Sequence, residues 1–310
     1  VKELAQRVGI KITEENVKIN KETEIYNKIL DISATWFQNN LEQHRESKAY
    51  LKKRKISEDT IKTFRIGFSY NAKTTLFNYL KNQNFKDEDI LKSNVVKIDN
   101  NKKIKDFFYK RLIFPISNEQ NKIVGFGGRV LNNSNPKYIN SPESNFFKKR
   151  NILYNLNLAK QMIRKKNNLL MCEGYMDVIS LYENNIKTAV APLGTALTET
   201  QLLLSWKYVN KPTIMFDGDN SGLRAAYKTA LMALPFLTPN NFLQFIKLPQ
   251  GYDPDTFIKS FSASKLIGLL KAPLPIVNFI FEQSCSTIDL KQADNKISYD
   301  GGWLSSTVSW

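Results

Sequence analysis

The chain has 310 residues, 42% of them hydrophobic, and a formal net charge of +16, so it is long enough to bury at least one full core. No apolar run approaches the roughly 18 residues of a membrane span, and we expect no signal peptide. Its two cysteines, Cys172 and Cys285, form no CxxC pair, so we expect no zinc site in this sequence, and it gives no sign of a disulfide framework. We expect Cys172 to be a small core residue and the protein to be cytoplasmic. Because the sequence starts at Val1, we expect it to be part of a longer protein.

The first part of the chain is predicted to begin with helices and to continue with strands. Residues 1 to about 60 favour helices because apolar side chains recur near helical spacing from Ile25 onward. Ser57, followed by two acidic residues, is typical of a helix start. From about 94 to 130 the apolar runs have the length of strands, and residues 118–121 between two of them predict a hairpin turn.

Strand-like and helix-like runs alternate between residue 167 and about residue 260. The predicted strands are 168–172, 188–192, 212–216 and 242–247, and the predicted helices are roughly 175–185, 198–208 and 221–234. Alternation of this kind predicts a parallel sheet with right-handed crossovers. The stretch from 261 to about 295 is predicted to be helical, and residues 299–310 fit no element.

Charge is distributed unevenly along the chain. Residues 1–166 hold 34 Lys and Arg against 17 Asp and Glu, whereas residues 167–310 hold 11 basic and 12 acidic residues. Six of those 12 acidic residues lie in three clusters of the kind that bind metal ions. A strongly basic part joined to such an acidic site is the electrostatic layout expected of an enzyme that acts on nucleic acid. A Lys- and Asn-rich composition due to genome bias is the alternative, but it does not explain the asymmetry.

Charge and periodicity together predict an α/β fold class, or α+β for the chain as a whole. We expect a basic α+β subdomain over residues 1–166 and a parallel sheet flanked by helices over residues 167–260. A short helical segment with an irregular tail would follow over residues 261–310.

Three acidic clusters follow apolar runs in the second part of the chain. They contain six of its 12 acidic residues: Glu173, Asp177, Asp217, Asp219, Asp253 and Asp255. The first two clusters directly follow predicted strands, whose carboxyl ends meet at one edge of a parallel sheet. Carboxylates held close together repel one another and are kept ionised by a hard divalent cation such as Mg²⁺.

These clusters predict metal-assisted phosphoryl or nucleotidyl transfer. The alternative for each cluster is structural, because Asp is common at helix N-caps and in turns. Three clusters in one half of the chain favour the metal site. The role of Asp177 stays open, since it either supports the other carboxylates or reaches the metal itself.

Several sequence motifs in a fixed order carry a specific resemblance. They read GFGGRV at 125–130, PKYINSPE at 136–143, EGYMD at 173–177, LGTALT at 193–198, DGD at 217–219 and LPQGYDPD at 248–255. The last four resemble the Toprim module of bacterial DnaG-type primases, and the first two resemble the basic subdomain that precedes it. The resemblance covers residues 1 to about 295. It departs from the family at Arg150 and Asn151, where a small and a basic residue are expected.

The resemblance implies an RNA-polymerase core that makes short RNA primers on single-stranded DNA from ribonucleoside triphosphates. It implies Glu173, Asp217 and Asp219 as catalytic residues and as ligands of Mg²⁺, or of Mn²⁺ in its place. Asp253, Asp255 and Asp177 would complete the metal site. The residues implied in contacts with template or nucleotide phosphates are Arg54, Arg129, Lys137 and Lys149.

The resemblance also implies partners and a cellular place. We expect a monomer at the bacterial replication fork that meets the replicative helicase and single-strand-binding protein through the full-length protein, with no membrane contact. Two rival functions stay open, namely a Toprim nuclease or topoisomerase and a non-catalytic nucleic-acid-binding module. A topoisomerase needs a nucleophilic Tyr in a separate cleavage domain, and none is evident in this sequence.

Overall fold

A computed structural model of the chain describes residues 14–70, 74–132, 134–194 and 196–287. The predicted irregular segment at 299–310 lies outside the described residues, as does Thr195. Residues 1–13 of the helical region predicted at the start of the chain and residues 288–295 of the one predicted from 261 also lie outside them.

The amino-terminal part begins with helices, as predicted. Its elements are α1 (Glu14–Gln43), α2 (Arg45–Lys53), α3 (Glu58–Thr63), β1 (Gly67–Ser69), α4 (Leu76–Asn82) and α5 (Asp87–Lys92). The helix start at Ser57 is confirmed, because its Oγ accepts a hydrogen bond from the N–H of Thr60 at 3.2 Å. Helices α4 and α5 were not predicted. Their buried side chains Leu80 and Ile90 pack in one core with α1.

A four-stranded antiparallel sheet follows, with strand order β1-β4-β5-β6. Its further strands are β4 (Arg111–Ser117), β5 (Ile123–Val130) and β6 (Tyr138–Asn140), and β2 (Val96–Ile98) and β3 (Ile104–Asp106) form a separate hairpin. The predicted turn at 118–121 is confirmed, since the N–H of Asn118 donates to the carbonyl of Lys122 at 2.9 Å. In this register Arg129 lies directly opposite Tyr138 on the neighbouring strand.

The second sheet is formed by β7 (Leu170–Met171), β8 (Ala189–Val190), β9 (Thr213–Ile214), β10 (Gln244–Phe245) and β11 (Leu274–Pro275). Their order is β11-β10-β9-β7-β8, and all pairs except β10–β11 are parallel. Before β7 the chain forms a 3₁₀ turn (Lys149–Asn151) and α6 (Leu156–Lys166). The helices between the following strands are α7 (Tyr175–Glu183) after β7, α8 (Glu199–Trp206) after β8 and α9 (Asn220–Ala233) after β9. A second 3₁₀ turn (Leu234–Phe236) leads from α9 toward β10. The α/β prediction is therefore confirmed. The strands are shorter than predicted, although backbone pairing continues beyond them, as in the bond from Cys172 N–H to the Val190 carbonyl at 3.0 Å.

The last described part contains a strand that the sequence did not predict. Its elements are α10 (Pro254–Phe261), α11 (Ala263–Leu270), β11 (Leu274–Pro275) and α12 (Ile276–Thr287). The prediction of continuous helical structure from 261 was wrong at β11. Pro275 cannot donate to a ladder, which a strand at the edge of a sheet tolerates.

One hydrophobic core joins the two sheets. Phe114 of the antiparallel sheet stacks on Tyr175 of α7, with ring centroids 5.5 Å apart and planes 6° from parallel. Cys172 belongs to the same core and is fully buried, as predicted. The basic and acidic parts of the chain are thus packed directly against each other. Among the described residues, no helix has the length and apolar character to cross a membrane.

Candidate active site

A pocket of about 330 Å³ is lined by residues of both sheets. Seven of the ten predicted site residues line it: Arg54, Arg129, Lys137, Glu173, Asp177, Asp217 and Asp253. The fold therefore brings the basic and the acidic predictions together, although Arg54 and Asp253 are 199 positions apart in the sequence.

Glu173 and Asp217 follow the neighbouring parallel strands β7 and β9, and they are in direct contact. The Oε1 atom of Glu173 accepts a hydrogen bond from the backbone N–H of Asp217 at 2.9 Å. Gly222 lies in the first turn of α9 against this contact. A Cβ atom there would come within 2.2 Å of the Asp217 carbonyl and 2.7 Å of Glu173 Oε1. The absence of a side chain at Gly222 is what permits the close approach.

Asp219 and Asp253 each cap a helix. Asp219 Oδ1 accepts from the N–H of Gly222 at 2.8 Å at the start of α9, and Asp253 Oδ1 accepts from the N–H of Thr256 at 2.6 Å at the start of α10. Both residues therefore have the structural role that the sequence left open, which is that of a helix N-cap. Capping also fixes the position of each carboxylate, which favours a site built from them.

Asp177 lies in the first turn of α7, where its Oδ2 accepts from the N–H of Gly174 at 3.1 Å. It lines the pocket together with Glu173 and Asp217. Asp219 and Asp255 are not among the described residues that line this pocket.

Burial and nearby negative charges raise the pKa values of Asp217, Glu173 and Asp177. The pKa of Asp217 is raised to about 7, chiefly by burial and then by the negative charges of Glu173, Asp253 and Asp219. Burial also raises the pKa of Glu173, against the lowering effect of the hydrogen bond from Asp217, and Asp219 raises it further. The pKa of Asp177 lies well above its usual range, first because of burial and then because of Asp217, Asp253 and Asp255. Such carboxylates gain from a cation that offsets their repulsion.

The acidic residues fit a divalent cation only in part as they stand. Among the described residues, no three acidic, histidine or cysteine side chains are close enough to form a ready-made metal group. However, Asp217 Oδ1 is buried and has no hydrogen-bond partner. Mg²⁺ prefers one or two carboxylates with water and substrate phosphate oxygens, so a complete cage of protein ligands is not required. The donor set around Asp217 therefore suits this ion.

Arg129 forms the opposite, basic side of the pocket. Its guanidinium lies 4.7 Å from the ring centroid of Tyr50 and 5.6 Å from that of Tyr138. The residue is only 7% exposed, and its Nε and Nη1 atoms are buried without a hydrogen-bond partner. A buried, unpaired guanidinium is costly, and a planar bidentate anion such as a phosphate would satisfy it.

Arg54 and Lys137 lie beside Arg129 but differ in their contacts. The guanidinium of Arg54 also lies over the Tyr50 ring, at 5.4 Å, and it donates from Nη1 to Asp255 Oδ2 at 2.6 Å. Lys137 is exposed, and its loop is held by Arg111, whose guanidinium donates to the carbonyl of the preceding Pro136 at 3.0 Å.

Lys149 lies apart from the other predicted basic residues. Its carbonyl accepts from Gln201 Nε2 at 3.1 Å and its N–H donates to Glu143 Oε1 at 2.8 Å. Lys149 is not one of the described residues that line the pocket. Its role in phosphate binding stays a prediction.

Three further residues of the pocket region were not predicted as site residues. Tyr175 donates from its hydroxyl to Asn140 Oδ1, and Asn140 Nδ2 donates to the carbonyl of Leu193 at 3.2 Å. Asn140 lies in the PKYINSPE motif and Tyr175 in the EGYMD motif, so the sequence did point to these two residues. Tyr50, which contacts both arginines, precedes a basic run in a helix and carried no such signal.

Comparison with protein families gives two matches that together cover most of the chain. Residues 36–160 match the N-terminal domain of the DNA primase catalytic core. Residues 170–258 match a Toprim-like domain.

Curated relatives and solved structures agree with these matches. The chain is 33% identical over 308 residues to a DNA primase of Clostridium acetobutylicum and 33% identical over 270 residues to that of Escherichia coli. It covers 50% and 46% of those two proteins, so it spans about half the length of the curated relatives it matches.

Among solved structures, a DnaG primase catalytic domain bound to single-stranded DNA has a TM-score of 0.80 and 32% identity to this chain. That similarity covers 90% of this chain and 92% of the other. The E. coli primase catalytic core has a TM-score of 0.79 and 33% identity, with 88% of both chains covered.

Proposed function

Because the chain belongs to the family of DnaG-type DNA primase catalytic cores, we propose that it synthesises short RNA primers on single-stranded DNA by nucleotidyl transfer. One observation carries the proposal. The pocket has a buried, unpaired carboxylate oxygen on Asp217 and a buried, unpaired guanidinium on Arg129, and both line the same cavity. A nucleoside triphosphate with a divalent cation presents the complementary charges to both.

The reaction joins the 3′-hydroxyl oxygen of the primer to the α-phosphorus of the incoming ribonucleotide and releases pyrophosphate. Mg²⁺ or Mn²⁺, held by Glu173, Asp217, Asp219 and Asp253, would supply activation of the hydroxyl and charge stabilisation of the leaving group. Asp177 would support these ligands from the first turn of α7.

The raised pKa of Glu173 suits it to accept the proton of the 3′-hydroxyl. Arg129, fixed between two aromatic rings, would bind phosphate oxygens and keep the triphosphate oriented. Lys137 would add an exposed positive charge near the same phosphates.

The rest of the chain fits the same proposal. Residues 1–166 would follow the template backbone, and residues 167–260 would hold the metal. Contacts with the helicase and the single-strand-binding protein would come through the full-length protein, at the replication fork. Template binding of this kind depends on salt and only weakly on sequence.

Primer synthesis tests the proposal. The purified chain is incubated with single-stranded DNA, ribonucleoside triphosphates and Mg²⁺ or Mn²⁺, and short RNA products are resolved on a gel. We expect products that require all four components. DNA cleavage or relaxation in place of synthesis would favour the Toprim nuclease or topoisomerase. Template binding without either activity would favour a non-catalytic module.

A further inference from the structure

Asp255 differs from its neighbour Asp253, although both belong to one acidic cluster. Asp253 lines the active-site pocket, whereas Asp255, whose side chain is 2% exposed, is not among the described residues that line it. Its Oδ2 is held by two cations, and its Oδ1 is buried without a hydrogen-bond partner, as Asp217 Oδ1 is, but Asp217 lines the pocket. Arg54 Nη1 and Lys259 Nζ each lie 2.6 Å from that oxygen. A carboxylate neutralised by two close positive charges attracts a further cation weakly.

Lys259 reaches Asp255 from one turn further along α10, and Arg54 reaches it from the end of α2. Arg54 and Lys259 also line a second pocket, of about 430 Å³. Arg54 lines both pockets, so the Asp255 carboxylate fixes the guanidinium at the boundary between them.

Tyr50 holds the same guanidinium from another direction. Its ring lies 5.4 Å from the Arg54 guanidinium and 4.7 Å from that of Arg129. Two like charges on one ring repel each other, and the Asp255 carboxylate offsets this repulsion on the Arg54 side only. Arg54 is therefore anchored, and Arg129 is left for a ligand.

We propose that Asp255 is a positioning residue that, with Lys259, holds Arg54 against the nucleotide phosphates, and that it is not a metal ligand. The inference rests on the proposed function, because it assigns roles within the same site. It separates the two carboxylates around Pro254, with Asp253 facing the metal and Asp255 facing the arginine.

The test compares Mn²⁺ affinity, measured by electron paramagnetic resonance, with the KM and kcat for ribonucleotides in primer synthesis. Asp255→Asn should leave the Mn²⁺ affinity within about twofold of wild type, whereas Asp217→Asn should lower it at least about 10-fold. Asp255→Asn should raise KM about 10-fold with little change in kcat, because a charged contact to the nucleotide is misplaced. Arg54→Met should do the same, and the double variant should be no worse than either single one.

Asp31→Asn is the matched control, since Asp31 Oδ1 lies 2.5 Å from Arg65 Nη1 in an exposed ion pair, and neither residue is among the described residues that line the pocket. It should change neither Mn²⁺ affinity nor KM. A loss of Mn²⁺ binding in Asp255→Asn as large as that in Asp217→Asn would overturn the inference.

Removal of Asp255 leaves a partly buried arginine unpaired and can prevent folding, so a second variant is needed. Lys259→Met keeps the Arg54–Asp255 pair and removes one cation. If Asp255 is a positioning residue, the Mn²⁺ affinity of Lys259→Met should equal that of wild type. If Asp255 instead binds metal, loss of the Lys259 charge would strengthen Mn²⁺ binding, and that result would refute the inference. Wild-type protein that binds neither Mn²⁺ nor ribonucleotide would instead overturn the proposed function.

Discussion

The two sides of the pocket are built in different ways. On the acidic side, backbone N–H groups position the carboxylates, as in the bond from Asp217 N–H to Glu173 and the cap at Asp219. On the basic side, aromatic rings position the charges, as Tyr50 and Tyr138 do for Arg129. Backbone bonds fix an anion at a strand or helix end, whereas stacking fixes a cation without using its N–H donors.

This difference explains which groups are left for ligands. The guanidinium of Arg129 keeps unpaired donors, and Asp217 keeps an unpaired oxygen. Arg54 lines the pocket and forms an ion pair with Asp255, which is not among the described residues that line the pocket. The remaining opposite charges face one cavity without neutralising each other. The two sides can therefore be perturbed separately by substitution.

The largest effect is expected from the acidic side. Asp217→Asn and Asp219→Asn remove charge with little change in volume, so each should lower primer synthesis by at least about 10³-fold and weaken divalent-cation binding. Thermal unfolding should show that both variants stay folded. Near-normal synthesis by both variants would refute the metal-site assignment, and Asp31→Asn serves as the control for loss of an exposed carboxylate.

Glu173→Gln should reduce the chemical step by at least about 10²-fold, because it removes a positioned acid–base group. Affinity for single-stranded DNA should change little, which separates the chemical role from template binding. Single-turnover rates and a DNA titration measure the two quantities. A variant whose defect is confined to DNA binding would place Glu173 outside the active centre.

On the basic side, Arg129→Ala and Lys137→Ala should weaken nucleotide or template binding and leave metal binding intact. Each lost phosphate contact should flatten the log–log salt dependence by about 0.7 for a single strand. Titrations of single-stranded DNA over a salt series measure the slope. Lys122→Ala, at the exposed hairpin turn, is the control. An unchanged slope in the double variant would mean that both residues are solvated surface.

The smallest effect concerns stability in the absence of divalent cations. The pKa of Asp217 is raised to about 7 in the folded protein, against about 3.9 for an unfolded chain. The folded state therefore binds more protons between these values, so stability is greatest below pH 4 for this group and is lost as pH rises through 7. In EDTA, Tm should fall over this range more for wild type than for Asp217→Asn. Saturating Mg²⁺ should reduce the difference, and equal pH profiles in EDTA would contradict the assignment.

The fold class and the contact between Glu173 and Asp217 were predictable because local sequence carries the relevant signals. Alternating apolar runs predicted the parallel sheet, and turn residues predicted the β4–β5 hairpin. Acidic residues directly after strands predicted that Glu173 and Asp217 would meet, and they do. Strand β11 was missed because two residues within a mostly helical stretch give no measurable period.

The sequence by itself determined the periodicity, the caps and the asymmetry of charge, since each depends on residues close together in the chain. Only the tertiary structure decided that Tyr50 would lie against both Arg54 and Arg129 and that Asp255 would pair with an arginine 201 positions away. The identity of a side chain specifies the kinds of contact it can make, but the packing of distant elements selects its partner. Asp253 and Asp255 look equivalent in sequence, and they differ because α10 packs one carboxylate toward the cavity and the other toward Arg54 and Lys259.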